Sequence, residues 1–256
     1  MPVVSSWEPF TPPAGRRRRE LLGWLTYARV VAPPVPAVDP HESEQVPVLT
    51  VPGFLAGDWS MIPLARQLRR AGHATFGSGL VLNCGCTEML VDLLERRLEE
   101  VADESGRPVA LVGQSRGGTL ARMLAVRRPD LVAGLITLAS PLLHQLPTTR
   151  SLIAQVDLIA RLNVCAWPWV LSPDCLTGGC AERTSALLTS PWPASLPFVS
   201  VYSREDAVVD WRACLDPAAE QVEVRSTHNG MGTDPVVHYV VAGTLAKLRP
   251  VSRPPA

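Results

Sequence analysis

The chain has 256 residues, 46% of them apolar and 19% charged. That is enough apolar matter for one large globular domain, and a composition far from that of a disordered or coiled-coil protein. Basic and acidic residues balance at 24 each, so general attraction to nucleic acid or to an anionic membrane surface is not expected.

The first fifteen residues contain no apolar run of the kind that heads a secretory signal, and a cytoplasmic location is the expectation. Residues 1–45 read as a helical extension. Arg16 to Arg19 is a basic run, read as a solvated face. Behind it Leu21, Leu22, Leu25, Ala28 and Val31/Ala32 recur at helical spacing, which predicts a helix docked on the domain. A peripheral membrane anchor with Trp24 at the interface is the weaker alternative. The stretch from Leu21 to Val35 is interrupted by Arg29 and by Pro33-Pro34, so it is too short to span a bilayer.

From Val46 to the end of the chain a strand–loop–helix rhythm predicts a domain over 46–256. Strands are expected at Val48 to Val51, Ala74 to Phe76, Val109 to Val112, Leu135 to Ala139, Phe198 to Tyr202 and Val222 to Arg225. Helices are expected at Met61 to Ala71, from Thr87 with the stripe Leu90, Leu94, Leu98 and Val101, after Ser115, and at Val236 to Leu248. Strands alternating with helices imply a parallel sheet of about six strands, covered on both faces. Between Pro141 and Pro197 no strand pattern occurs, only helical patterns near Ser151 to Leu162 and Glu182 to Leu188. This predicts a small helical lid insertion at about 143–196.

Gly113-Gln114-Ser115-Arg116-Gly117 matches G-x-S-x-G. The pattern alone is weak, but here the apolar strand Val109-Ala110-Leu111-Val112 precedes it and a helical stretch rich in Ala and Leu follows. That is the strand–turn–helix of a nucleophile elbow. A serine hydroxyl needs a base to attack at neutral pH, and the base needs an orienting acid. Of the five histidines, His228 lies on a loop after the last strand. His41 is in the extension, His73 precedes a strand, His238 lies inside the closing helix, and His144 opens the lid. The acid is sought in the loop after Tyr202, where Asp206 is the first choice and Glu205 and Asp210 are its competitors. The backbone N–H groups of Arg116 and of Phe54, with Leu55 second to Phe54, are the candidate oxyanion donors. Leu55, Gln114, His144, Trp167 and Trp169 are the candidate substrate contacts, the tryptophans and the leucines of the insertion forming the wall of an acyl pocket.

Six cysteines, at 84, 86, 165, 175, 180 and 214, contain no C-x-x-C pair and no histidine at ligand spacing. The expectation is therefore buried thiols and no metal site, with a Cys175–Cys180 disulfide as the alternative.

Four segments together resemble the bacterial lipase/esterase branch of the α/β-hydrolase superfamily. They are Val-Pro-Gly-Phe at 51–54, Val-Gly-Gln-Ser-Arg-Gly-Gly at 112–118, Ser-Arg-Glu-Asp-Ala-Val-Val at 203–209 and Thr-His-Asn-Gly-Met-Gly at 227–232. The resemblance implies the α/β-hydrolase fold, a triad at Ser115, Asp206 and His228, and no cofactor. The His-Gly usual in the oxyanion loop is Pro52-Gly53 here, and the first antiparallel strands of larger members are missing. The expected activity is carboxylic ester hydrolysis through an acyl-enzyme. A thioesterase or acyltransferase with the same triad is the nearest rival, and a non-catalytic binding protein the remote one.

Overall fold

The computed structural model describes residues 10–13, 15–20, 36–142, 150–163 and 169–248. Six strands make one sheet: β1 (Val48–Val51), β2 (Thr75–Gly77), β3 (Val109–Gln114), β4 (Val132–Leu138), β5 (Phe198–Tyr202) and β6 (Glu220–Glu223). Their order is β2-β1-β3-β4-β5-β6 and every neighbouring pair is parallel. Among the described residues, 16–20 are helical and the α-helices from there on are α1 (Ile62–Arg70), α2 (Thr87–Ser105), α3 (Arg116–Arg127), α4 (Arg150–Leu162), α5 (Asp174–Thr177), α6 (Gly179–Leu188) and α7 (Pro235–Leu245).

Parallel strands must be connected by crossovers, so helices cover both faces and the strands read as continuous apolar runs. In β3, Val109 and Leu111 face a core shared with Leu90, Leu94 and Leu98 of α2 and Leu120 and Leu124 of α3. Ala110 and Val112 face the opposite core, with Leu64 and Leu68 of α1 and Val237, Val241 and Leu245 of α7. The two-residue period of the strand thus divides one apolar run between two cores. Each fully buried Leu or Val contributes about 1.5–3 kcal/mol.

Helix ends follow local chemistry. α2 stops at Gly106, which adopts φ 64°, a conformation that costs glycine little. α7 starts at Asp234, whose side chain accepts a hydrogen bond from Val236 N, with Pro235 in the first turn.

Several strand boundaries differ from expectation: β2 lies one residue later, β3 extends to Gln114, β4 ends at Leu138 and β6 at Glu223, and the starts of β4 and β6 move most. β4 begins three residues earlier, at Val132, and runs through Gly134, which packs under Leu248. β6 begins two residues earlier, at Glu220, because pairing with β5 (Val201 opposite Val222) sets its register. As an exposed edge strand it has no apolar alternation that would mark its start.

Among the described residues the insertion is helical, as α4, α5 and α6. Arg122 of α3 anchors its end, and is itself held by a buried ion pair in which it donates to Asp216, before β6, at 2.7 Å, both side chains 3% exposed. The same guanidinium donates to the Leu188 carbonyl and lies over the Trp192 ring. The helix expected at Leu21 to Val31/Ala32 lies outside the described residues. No helix among those described is long and apolar enough to cross a membrane.

The strand order places a topological switch point between β1 and β3. There the chain departs in opposite directions, and the carboxyl ends of the two strands open a crevice.

Candidate active site

Ser115 stands at that crevice, between β3 and α3, with φ 52° and ψ −127°. A non-glycine residue with positive φ is strained, and two of the other such residues lie close by: Leu55 in the loop after β1 and Ala139 at the end of β4. The Ser115 N–H donates to the Leu138 carbonyl at 2.8 Å, which pins the turn to the neighbouring strand. The glycines of the motif allow close approach of backbone. A Cβ on Gly113 would lie 2.5 Å from Gly118 Cα, and one on Gly117 would lie 2.2 Å from the Val51 carbonyl oxygen.

His228 follows β6, and its side chain is buried. Its Nδ1 lies 2.7 Å from Asp206 Oδ2. The other carboxylate oxygen of Asp206 accepts hydrogen bonds from Val208 N (2.7 Å) and Val209 N (2.8 Å), so the acid is held by its own loop. With Nδ1 engaged, Nε2 is the nitrogen left for the cavity that Ser115 and His228 share. That cavity has a volume of about 50 Å³ and is lined by Gly53, Phe54, Ala56, Ser60, Gln114, Ser115, His228 and Asn229.

Burial pulls the His228 imidazole towards its neutral form, but the charge and hydrogen bond of Asp206 and the charge of Glu20 outweigh it. The net result is a pKa above the ordinary histidine value.

The competing acids are engaged elsewhere. Asp210 caps the short helix Trp211–Cys214, accepting from Arg212 N. Glu205 pairs at the surface with Arg19 at 3.1 Å. His73 is buried against the Val46 carbonyl and His238 against the Gly232 carbonyl.

The loop after β1 offers Phe54 and Leu55 as amide donors. Leu55 N–H already donates to the Asn83 carbonyl at 3.0 Å. Asn83, fully buried, also receives Arg116 Nη1 on its side-chain oxygen and donates its side-chain N–H to the Pro52 carbonyl. It thereby ties this loop to the residue after Ser115. The Arg116 guanidinium lies over the Phe54 ring, and burial draws its pKa down to about 10, which leaves it a cation at neutral pH.

Of the candidate substrate contacts, Gln114 lines the cavity and donates to the His228 carbonyl at 3.1 Å. Leu55 and Trp169 are exposed and do not line it. His144 and Trp167 lie outside the described residues. The insertion touches the site through Phe54, which packs on Val156, Ala160 and Leu171.

Glu20 and Asn83 are absent from the sequence reading. Glu20 follows the basic run Arg16 to Arg19, and it is buried. Its carboxylate accepts from His228 N (2.7 Å), Asn229 N (3.0 Å) and Ala207 N (3.2 Å). One side chain from the amino-terminal segment thus clamps the loop of Asp206 to the loop of His228. Nothing local in the sequence signals a contact spanning about two hundred residues.

Among solved structures the chain is similar to a lipase of Bacillus licheniformis in its mature form, with TM-score 0.61 and 16% identity over 83% of this chain and 96% of that one. It is similar to the mouse alpha/beta hydrolase domain-containing protein 10, with TM-score 0.52 and 19% identity over 78% of this chain and 88% of that one. It is also similar to a thioesterase domain from the curacin biosynthetic pathway, with TM-score 0.51 and 18% identity over 82% and 93%. No family model matches the sequence. At these identities the likeness lies in the fold, and the fold is that of the α/β hydrolases, as the sequence predicts.

Proposed function

We propose that the chain is a serine hydrolase of carboxylic esters. The observation that carries this reading is the 2.7 Å contact of His228 Nδ1 with a threefold-bonded Asp206 carboxylate, across one cavity from a strained Ser115. Asp206 holds the proton on Nδ1, so Nε2 takes the Ser115 proton as the hydroxyl attacks the ester carbonyl. The tetrahedral oxyanion is received by the backbone N–H groups of Phe54 and Arg116. Collapse expels the alcohol, protonated by His228, and leaves an acyl-enzyme. His228 then activates water to release the acid. A thioester would enter the same sequence with a thiol as leaving group. The similarity to a thioesterase domain, which is one of fold, makes thioesters the second substrate class to assay.

Apolar acyl groups fit the surroundings best. The cavity itself is small, and exposed Leu55, Trp59, Val81 and Leu82 stand on the two hydrogen-bonded loops beside it. Each buried methylene contributes about 0.8 kcal/mol, so four added carbons are expected to raise kcat/KM by roughly two orders of magnitude over acetate. A p-nitrophenyl ester series measures this. A steady fall from acetate upward would mean a short closed pocket.

Glu20 supplies a second test. Glu20→Gln removes a negative charge near His228 and sets an amide N–H against backbone donors. Hydrogen bonds to a charged group contribute about 1.5–3 kcal/mol, so kcat/KM is expected to fall roughly tenfold or more. Activity requires neutral imidazole, so the acid limb of the pH profile reports the His228 pKa, which lies above the ordinary value. Loss of the Glu20 charge removes a contribution that raises this pKa, and the limb shifts to lower pH. An unmoved limb would assign Glu20 to packing alone.

A further inference from the structure

Cys86, Cys175 and Cys180 come from three places in the chain: the turn before α2, helix α5 and the first turn of α6. Their three sulfurs all lie within 4.8 Å of one another. The Cys86 and Cys180 sulfurs are 3.5 Å apart. Cys175 and Cys180 are buried and Cys86 is partly so. A single buried cysteine is ordinary apolar filler. Three whose sulfurs converge from separate elements describe a centre. An ion bonded to sulfur at about 2.3 Å in tetrahedral geometry sets its ligands about 3.8 Å apart, which is within small side-chain rotations of this arrangement.

The electrostatics also favour such a centre. Arg116 donates to Asn83 Oδ1, the Gly85 carbonyl and Thr87 Oγ1, all neutral acceptors. Among the described residues its hydrogen bonds go to these neutral groups beside Cys86 and to no carboxylate. A divalent ion held by three thiolates carries one net negative charge, which this guanidinium neutralises. Two helix N-termini add to the effect, since Cys86 caps the 19-residue α2 and Cys180 lies in the first turn of α6.

We propose that Cys86, Cys175 and Cys180 bind one thiophilic divalent cation of the zinc class. The all-thiolate donor set selects such an ion over magnesium or calcium. Each thiol that becomes a ligand passes its proton to solvent. No further Cys, His, Asp or Glu among the described residues joins the cluster, which leaves the fourth position to a ligand from outside it. The ion fastens α5 and α6 of the insertion to the domain beside Phe54 and Arg116. It thereby braces the loop and helix end that present the proposed oxyanion donors.

The test uses the full chain, reduced and stripped with a chelator. Titration with Co²⁺ is expected to give one bound ion per chain, with the charge-transfer absorption of thiolate ligands, bleached by one equivalent of Zn²⁺. Zn²⁺ is expected to raise the thermal midpoint and EDTA to reverse the rise. Cys175→Ser and Cys180→Ser should each weaken binding by at least about 100-fold, more than a lost supporting contact would. Cys214→Ser, in a separate cluster, should bind as the unaltered chain does. The proposal is overturned if the folded, reduced chain shows no thiolate absorption with Co²⁺, or if both serine variants bind unchanged. It is equally overturned if the chain purified without reductant is two hydrogens lighter, with a disulfide joining two of these three residues.

Discussion

Ser115→Ala is expected to leave a folded protein whose ester turnover is lower by about 10⁶-fold, the scale on which loss of a triad nucleophile acts. Stability should change little, for a specific reason. Ser and Ala both carry a Cβ, so the cost of holding φ 52° is the same in both proteins. The residual rate would come from the oxyanion donors and substrate binding alone. The measurement is kcat on a p-nitrophenyl ester beside a thermal melt. Turnover within tenfold of the unaltered chain, with the melt unchanged, would remove Ser115 from the chemistry.

Asp206→Asn is expected to cost about 10⁴-fold in turnover. The geometry explains how. Val208 N and Val209 N both donate to Asp206 Oδ1. In the variant those two donors hold the amide oxygen, which leaves the amide NH₂ facing His228 Nδ1. That nitrogen must then accept rather than donate, the proton moves to Nε2, and the base presents the wrong face to Ser115. Asp210→Asn is the matched control. Asn caps helices about as well as Asp, so both stability and activity should stay close to those of the unaltered chain. If the Asp210 variant suffers the larger loss, the orienting acid has been misassigned.

Much of this architecture was legible in the sequence because its causes are local. The run Val109-Ala110-Leu111-Val112 can be a buried parallel strand, and the glycines around Ser115 permit a tight strand-to-helix turn. Their order along the chain predicts the sheet found. A preceding strand marks His228 among the five histidines, and the structure sets it against Asp206. In the sequence Asp206, Glu205 and Asp210 differ only by position in one loop. What separates them is visible in three dimensions, where Asp210 serves a helix cap and Glu205 an exposed ion pair.

The cysteines show where local reading stops. Ligand spacing along the chain, such as C-x-x-C, marks only ligands that share one turn. Here the sulfurs come from a loop and two helices separated by almost ninety residues, so their convergence exists only after folding. The same holds for Glu20. It follows the basic run Arg16 to Arg19, yet the fold buries it where three backbone N–H groups from two distant loops donate to its carboxylate. A buried carboxylate is costly unless hydrogen-bonded, and its donors belong to segments the local sequence does not mention. The sequence by itself therefore determined the parallel strands, the strand-to-helix turn at Ser115 and the chain order of the candidate acid and base, because hydrophobic period and turn chemistry act over a few residues. Only the tertiary structure decided what surrounds them, the Glu20 clamp, the Asn83 tie and the three-cysteine centre, because hydrogen bonding and charge balance act through space and across the whole chain.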